Sequence, residues 1–321
     1  MEGIVVRKKP KLRNPYLIVA WPGMGEVAIR AATHLIDKLK AEEFAEILPA
    51  EFFYLTGSDV RAGVLTLPPL PYSKFYFWKN KGGKNDLIIF ASDAQPDLQK
   101  ADEYCERIIH VAKMCNVKMV IGFAAMPQPI DHTQNPNVWM TSTSQEISQS
   151  LKKFKFQVLN EGQISGLNGL FLGIAKKHGF QGFCLLGETP LYTIQMENPR
   201  ASYAVLEGLR RVLNIQIDLN QLIEQAHAME EQINKLLDFL KVGPSPTPIG
   251  EDEIEKIKKS LSLLTRLPVS VKEKIEQLFT QAKTDISKAH QLKDELDKWN
   301  VYRDYEDRFL DLIKKGREKN N

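Results

Sequence analysis

The chain has 321 residues and is 43% hydrophobic, enough for one large domain with an appendage or for two domains. Its formal net charge of +3 argues against a nucleic-acid partner, which would call for a basic patch. No run approaches the roughly eighteen apolar residues of a membrane span.

The N-terminal "MEGIVVRKKPKLRNP" lacks the apolar stretch of a signal peptide. The first β-rich run is Tyr16–Ala20, "YLIVA", and a helical pattern follows over Val27–Lys40. Phe75–Trp78 and Leu87–Ser92 read as strands, and "NKGGKND" between them predicts a hairpin. Helical spacing over Asp97–Cys115 gives a buried face from Ile108, Ile109, Val111, Ala112 and Met114. That helix feeds a buried strand in "KMVIGFAA". "VWMTST" and "FCLLGE" supply two more strands, and Asn198-Pro199 starts a helix ending at Leu213. The alternation predicts an α/β fold, with a mixed or mainly parallel sheet flanked by helices.

Asn220–Leu240 predicts a further amphipathic helix. Its stripe includes Leu222, Met229, Ile233, Leu236 and Leu237, the candidate interface. The composition changes at "VGPSPTPIG", which reads as a linker. The expected division is therefore an α/β domain over 1–242, a Pro/Gly linker over 243–250 and an α-helical extension over 251–321. In that extension the apolar positions are Ile254, Ile257, Leu261 and Leu264, then Ile275, Leu278 and Phe279. Leu292, Leu296, Trp299, Tyr302, Phe309 and Ile313 complete the pattern, with a break at Leu267-Pro268.

The turn after the first strand, "WPGMGEVAIRAATHL", has Gly23, Gly25 and Ala28 at the G-x-G-x-x-A spacing of dinucleotide sites. Glycines let a backbone approach phosphate, and helix N–H groups point at it. Trp21-Pro22 removes a donor, however, and Glu26 puts a carboxylate where a phosphate would sit. A tight strand-to-helix turn explains the same residues. "EGQISGLNGLFLGIAKKHG" offers Ser165 and Asn168 near a helix start, but Gln163 and Leu167 break the G-x-S-x-G pattern. His132, with Asp131 or Asp93 as orienter, lies in a proline-rich loop. Asp93 and Glu188 fall at strand ends, where α/β folds place ligands. Gly23, Gly25, Asp93, His132, Ser165, Asn168 and Glu188 thus form the candidate ligand pocket, each with a structural alternative. Cys105, Cys115 and Cys184 are scattered, without metal-ligand spacing, so a reduced compartment is expected and no metal or cofactor is implied.

Several segments together resemble the PAC family, the proteasome assembly chaperones and their archaeal and bacterial relatives. The resemblance is carried by "PGMGEVAIRAATHLIDKL", "DLIIFASDAQP", "HTQNPNVWMTSTSQEI", "GQISGLNGLFLGIAKKHGFQGFCLLGETPLY" and "NPRASYAVLEGLRRVL", in order from about Tyr16 to about Leu237. It implies a phosphorylase-like α/β core in a cytoplasmic protein that pairs with itself or with a relative. It implies no catalytic residues. Some members assist assembly of the proteasome α-ring, and some end in a hydrophobic–tyrosine–any tail, whereas this sequence ends "GREKNN". Two expectations follow. One is a non-catalytic assembly chaperone or oligomeric interaction protein, with proteasome α-subunits as partners. The other is a small-molecule enzyme or sensor that binds a nucleotide- or nucleoside-like ligand at the strand ends.

Overall fold

Continuous apolar runs, without polar alternation, form strands buried on both faces. Four of them lie side by side and parallel: β7 (Leu87–Ser92), β2 (Tyr16–Ala20), β8 (Met119–Gln128) and β11 (Gln181–Pro190). They are the centre of a nine-stranded mixed sheet in a computed structural model. Beyond β7 come β6 (Ser73–Trp78), β3 (Glu42–Ile47) and β1 (Ile4–Val6), each antiparallel to its neighbour. Beyond β11 come β9 (Val138–Ser142), antiparallel to it, and the short β10 (Gln157–Val158). The structure describes residues 3–55, 57–242, 269–285, 288–298, 301–302, 305–306, 308–310 and 312–313.

Side chains of β2 alternate between two cores. Leu17, Val19 and Trp21 face α2 (Ala101–Met114) and α4 (Leu167–Lys177). Ile18 and Ala20 face α1 (Val27–Leu39), α3 (Gln145–Leu151) and α5 (Pro199–Leu213). Leu222, near the start of α6 (Asn220–Val242), joins this second core. The chain leaves β2 through α1 on one face and leaves β7 through α2 on the other. The carboxyl end of β2 is therefore the switch point where such sheets open a crevice.

Four elements have no clear periodic signature. β3 reads "EEFAEI", with glutamates placed among its apolar residues. β1, β10 and α3 are only two to seven residues long. A separate hairpin joins β4 (Asp59–Arg61) to β5 (Val64–Thr66). Asp97 caps the helical turn after β7, accepting from the Gln99 N–H at 2.8 Å.

The chain divides into two compact units, Met1–Pro190 with Met196–Gln232, and Leu191–Gln195 with Ile233–Asn321. In the second, the helices Val269–Thr284 and Ala289–Lys298 contribute to a cluster that includes Ile275, Phe279, Leu292, Leu296 and Phe309. Arg308 grips the Glu276 carboxylate at 2.6 and 2.5 Å and lies 4.2 Å from the centre of the Phe279 ring. The linker at 243–250, Ile254, Ile257, Leu261, Leu264, Leu267-Pro268 and Trp299 lie outside the described residues. Among the described residues no helix is long and apolar enough to cross a membrane.

Candidate functional site

The glycine turn sits at the switch point, where a bound phosphate would need free backbone N–H groups. The protein's own side chains and backbone bond several of the main-chain groups there. The Asn168 side chain accepts from the Trp21 N–H and donates to the Trp21 carbonyl, both at 3.0 Å. The Gln95 amide donates to the Pro22 carbonyl at 2.8 Å and accepts from the Leu167 N–H at 3.0 Å. The Glu26 N–H donates to the Gly23 carbonyl at 2.9 Å. The Asn198 N–H donates to the Gly25 carbonyl at 2.7 Å.

This knot explains the local sequence. Gly25 has φ +62°, and an added Cβ would lie 3.2 Å from the Asn198 Cβ. A Cβ on Gly23 would lie 3.2 Å from the Asn168 amide nitrogen. Trp21 is fully buried against Phe90, Phe171 and Tyr104, at ring-centroid distances of 5.4, 5.8 and 6.5 Å. Burial pushes the Tyr104 phenol up to about 12. The carboxyl of Glu26 is raised above the ordinary range by burial, opposed by the charge of Arg30. Arg30 is lowered by its own burial and donates to Gln225 at 3.0 Å and to Glu197. The carboxylate next to the glycines is thus the protein's own, already set beside a guanidinium.

The remaining candidates hold loops. Glu188, 5% exposed, accepts from the Asn137 N–H at 2.8 Å, the Asn137 amide at 3.0 Å and the Trp139 indole at 2.8 Å. It fastens the entry of β9 to the end of β11. Asp93 accepts from the Tyr72 N–H at 2.7 Å and fixes the start of β6. His132 is buried, its Nδ1 3.3 Å from the Asp131 carboxylate, which also accepts from the Thr133 N–H and hydroxyl. The residue capping α4 is Gly166, with φ +70°, and Ser165 precedes it. Gly23, Gly25 and Asn168 therefore meet at one point, next to Thr189 on the end of β11, whereas Asp93, Glu188 and His132 each serve a separate loop.

Gln95 and Asn198 are the residues that sequence reasoning left out of this site. Both are neutral amides, with no titratable group and no periodic position. Their signals are weak: Gln95 follows the strand in "FASDAQP", and Asn198 precedes a proline at a helix start. Away from the knot, a cleft of about 340 Å³ lies between β9, the loop Leu159–Ile164 and α4. It is lined by Thr141, Ser142, Thr143, Gly173 and Lys176 among others, and none of the candidate pocket residues lines it.

Comparison with known proteins gives the same picture of the fold. The chain is 29% identical to the Pyrococcus furiosus protein PbaB, described as an archaeal proteasome activator, with a TM-score of 0.63 over 73% of this chain and 97% of that one. It is 25% identical to Pyrococcus furiosus PbaA, described as an archaeal homolog of proteasome-assembly chaperone, with a TM-score of 0.57 over 83% of this chain and 100% of that one. An uncharacterised protein of Methanocaldococcus jannaschii is 28% identical over 78% of this chain and 97% of its own length. The model of the PAC2 family matches residues 17–237, which take in the sheet apart from β1 and the first residue of β2, together with both helical layers and the knot. The chain belongs to the PAC2 family.

Proposed function

We propose that this protein is a non-catalytic, self-associating assembly protein of the cytoplasm that engages proteasome α-subunits. The observation that carries the reading is the closed switch point. From Trp21 to Gly25, the Trp21 N–H and the Trp21, Pro22, Gly23 and Gly25 carbonyls are bonded to Asn168, Gln95, the Glu26 N–H and the Asn198 N–H. A crevice held this way transmits rigidity and leaves interaction to the protein's outer surfaces. The likeness to PbaB and PbaA supports the proteasome as the partner. On α6, Leu222, Ile233 and Leu237 are buried within a single chain, which leaves Met229 and the 48% exposed Leu236 for a second copy.

The test is reconstitution with α-subunits and assembled core particles from the same organism. The reading expects the chain to co-elute with at least one of them and to change ring formation or peptide hydrolysis. Absence of both effects at micromolar concentration would remove the proteasome from the account.

A further inference from the structure

β7, β2 and β8 run side by side and parallel, with their first residues in register: Tyr16 is opposite both Leu87 and Met119. The segments that enter them, 8–15, 79–86 and 113–118, are therefore neighbours, at the end of the sheet away from the knot. The backbone ties them together. The Lys118 N–H donates to the Pro15 carbonyl at 2.9 Å, and the Asp86 N–H to the Arg13 carbonyl at 3.0 Å. The Asn85 amide donates to the Asn14 carbonyl at 3.0 Å. Eight lysines and Arg13 stand in these segments against one carboxylate, Asp86, a formal charge of +8 in a chain of +3. Asp86 is 5% exposed, and its oxygens accept from the Arg13 N–H at 2.6 Å and the Asn80 N–H at 2.9 Å. Lys8 lies 3.9 Å from Glu42. Lys9, Lys11, Lys79, Lys81, Lys84 and Lys113 are exposed and make no ion pair among the described residues. Protein surfaces ordinarily intersperse the two signs. Here one sign gathers at one end of the sheet, and its self-repulsion is relieved when a polyanion docks. The total of +3 conceals this pole, because the rest of the chain is net negative.

The composition of the pole selects among polyanions. Nucleic-acid sites use free arginine forks on phosphates and aromatic rings beneath bases. Arg13 is the only arginine of these segments, and its guanidinium donates to the Asn80 carbonyl at 3.0 Å and to the Gly83 carbonyl. Membrane-surface sites set apolar side chains beside the cations. In these three segments no aromatic or aliphatic side chain is exposed: Leu12 packs on the core, and Pro10, Pro15 and Val117 are buried. What is left is a spread of flexible point charges, which suits carboxylates of no fixed spacing.

We propose that this lysine pole docks an acidic, carboxylate-rich segment of a protein partner. The proposal rests on the reading above, in which the chain acts on other proteins, and names the chemistry of the contact. Fluorescence anisotropy of the full chain with a labelled decaglutamate peptide tests it, at about 50 and about 500 mM salt. Lys79→Glu/Lys81→Glu/Lys84→Glu reverses three charges of the pole. Lys152→Glu/Lys153→Glu/Lys155→Glu makes the same change in net charge just before β10, which starts at the other end of the sheet. All six lysines are exposed, so thermal midpoints close to the parent's verify folding. The expected result is that high salt and the pole variant each weaken binding at least about tenfold, while the variant before β10 stays within about threefold of the parent. Equal losses in the two variants overturn the location. An oligonucleotide of equal charge that binds more tightly than the peptide overturns the carboxylate partner. A parent that does not bind the peptide overturns the pole; if it still co-elutes with α-subunits, the reading above stands without it.

Discussion

The Asn168 side chain pairs with both main-chain polar groups of Trp21, 147 residues earlier in the sequence. A carboxamide has one acceptor and one donor side, so it acts on the end of β2 as one more strand residue would. α4 is thereby fixed to the central strand at the point where the sheet would otherwise open. Trp21 fills the space beneath with an indole buried among aromatic rings.

Asn168→Leu keeps the volume but leaves the Trp21 N–H and carbonyl buried and unpaired. The expected loss is about 2–4 kcal/mol of unfolding free energy, from two unmet groups. Urea denaturation measures it; a loss below about 0.5 kcal/mol would deny the pairing its structural weight.

Two glycine substitutions should act in opposite directions. Gly25→Ala places a Cβ at φ +62°, close to Asn198, and should destabilise by at least about 1–2 kcal/mol. Gly173→Ala, inside α4 with nothing within 4 Å of its added Cβ, should stabilise by about 0.5–1 kcal/mol through helix propensity. Paired thermal unfolding curves give both signs.

His34 is lowered from its ordinary value of 6.5, chiefly by burial, although its ring bond to the Asp218 carbonyl at 2.7 Å works the other way. The folded state therefore binds this proton less readily than the unfolded chain. The stability that His34 contributes is present above about pH 6.5 and is lost as pH falls below it. His34→Gln should be less sensitive than the parent to acidification in that window, as read from denaturation midpoints on either side of pH 6.5. Equal slopes would mean that the ring titrates alike in both states.

Cys105, Cys115 and Cys184 are free and buried, and burial pushes their thiols up to about 12, about 11 and about 12. None should react with a disulfide reagent in the native protein at neutral pH, and all should react in denaturant. Rapid native labelling of any of them would mean that the core opens far more easily than its packing implies.

The central sheet was legible because its strands are unmixed. Tyr16–Ala20 and Leu87–Ala91 carry no charged or alternating polar residue, and the expected bounds Tyr16–Ala20 and Leu87–Ser92 coincide with those of β2 and β7. Outer elements were hidden by the same logic. β3 carries glutamates among its apolar residues, and α3 is too short for a helical period to register. Gly23 and Gly25 stood out because glycine spacing is a local signal. The residues that decide what the turn does, Asn168, Gln95 and Asn198, reach it from three other elements. Of these, only Asn168 drew notice, through its neighbouring glycines. Whether a glycine turn holds a phosphate or an asparagine depends on contacts far apart in sequence, and spacing within one motif does not carry them.

The central claim is that this PAC2 chain acts through contacts with other proteins. The most direct measurement is sedimentation of the purified chain mixed with proteasome α-subunits from the same organism. The account predicts a complex heavier than either component at micromolar concentration. Two components that sediment independently, across that range and in the presence of assembled core particles, would contradict it.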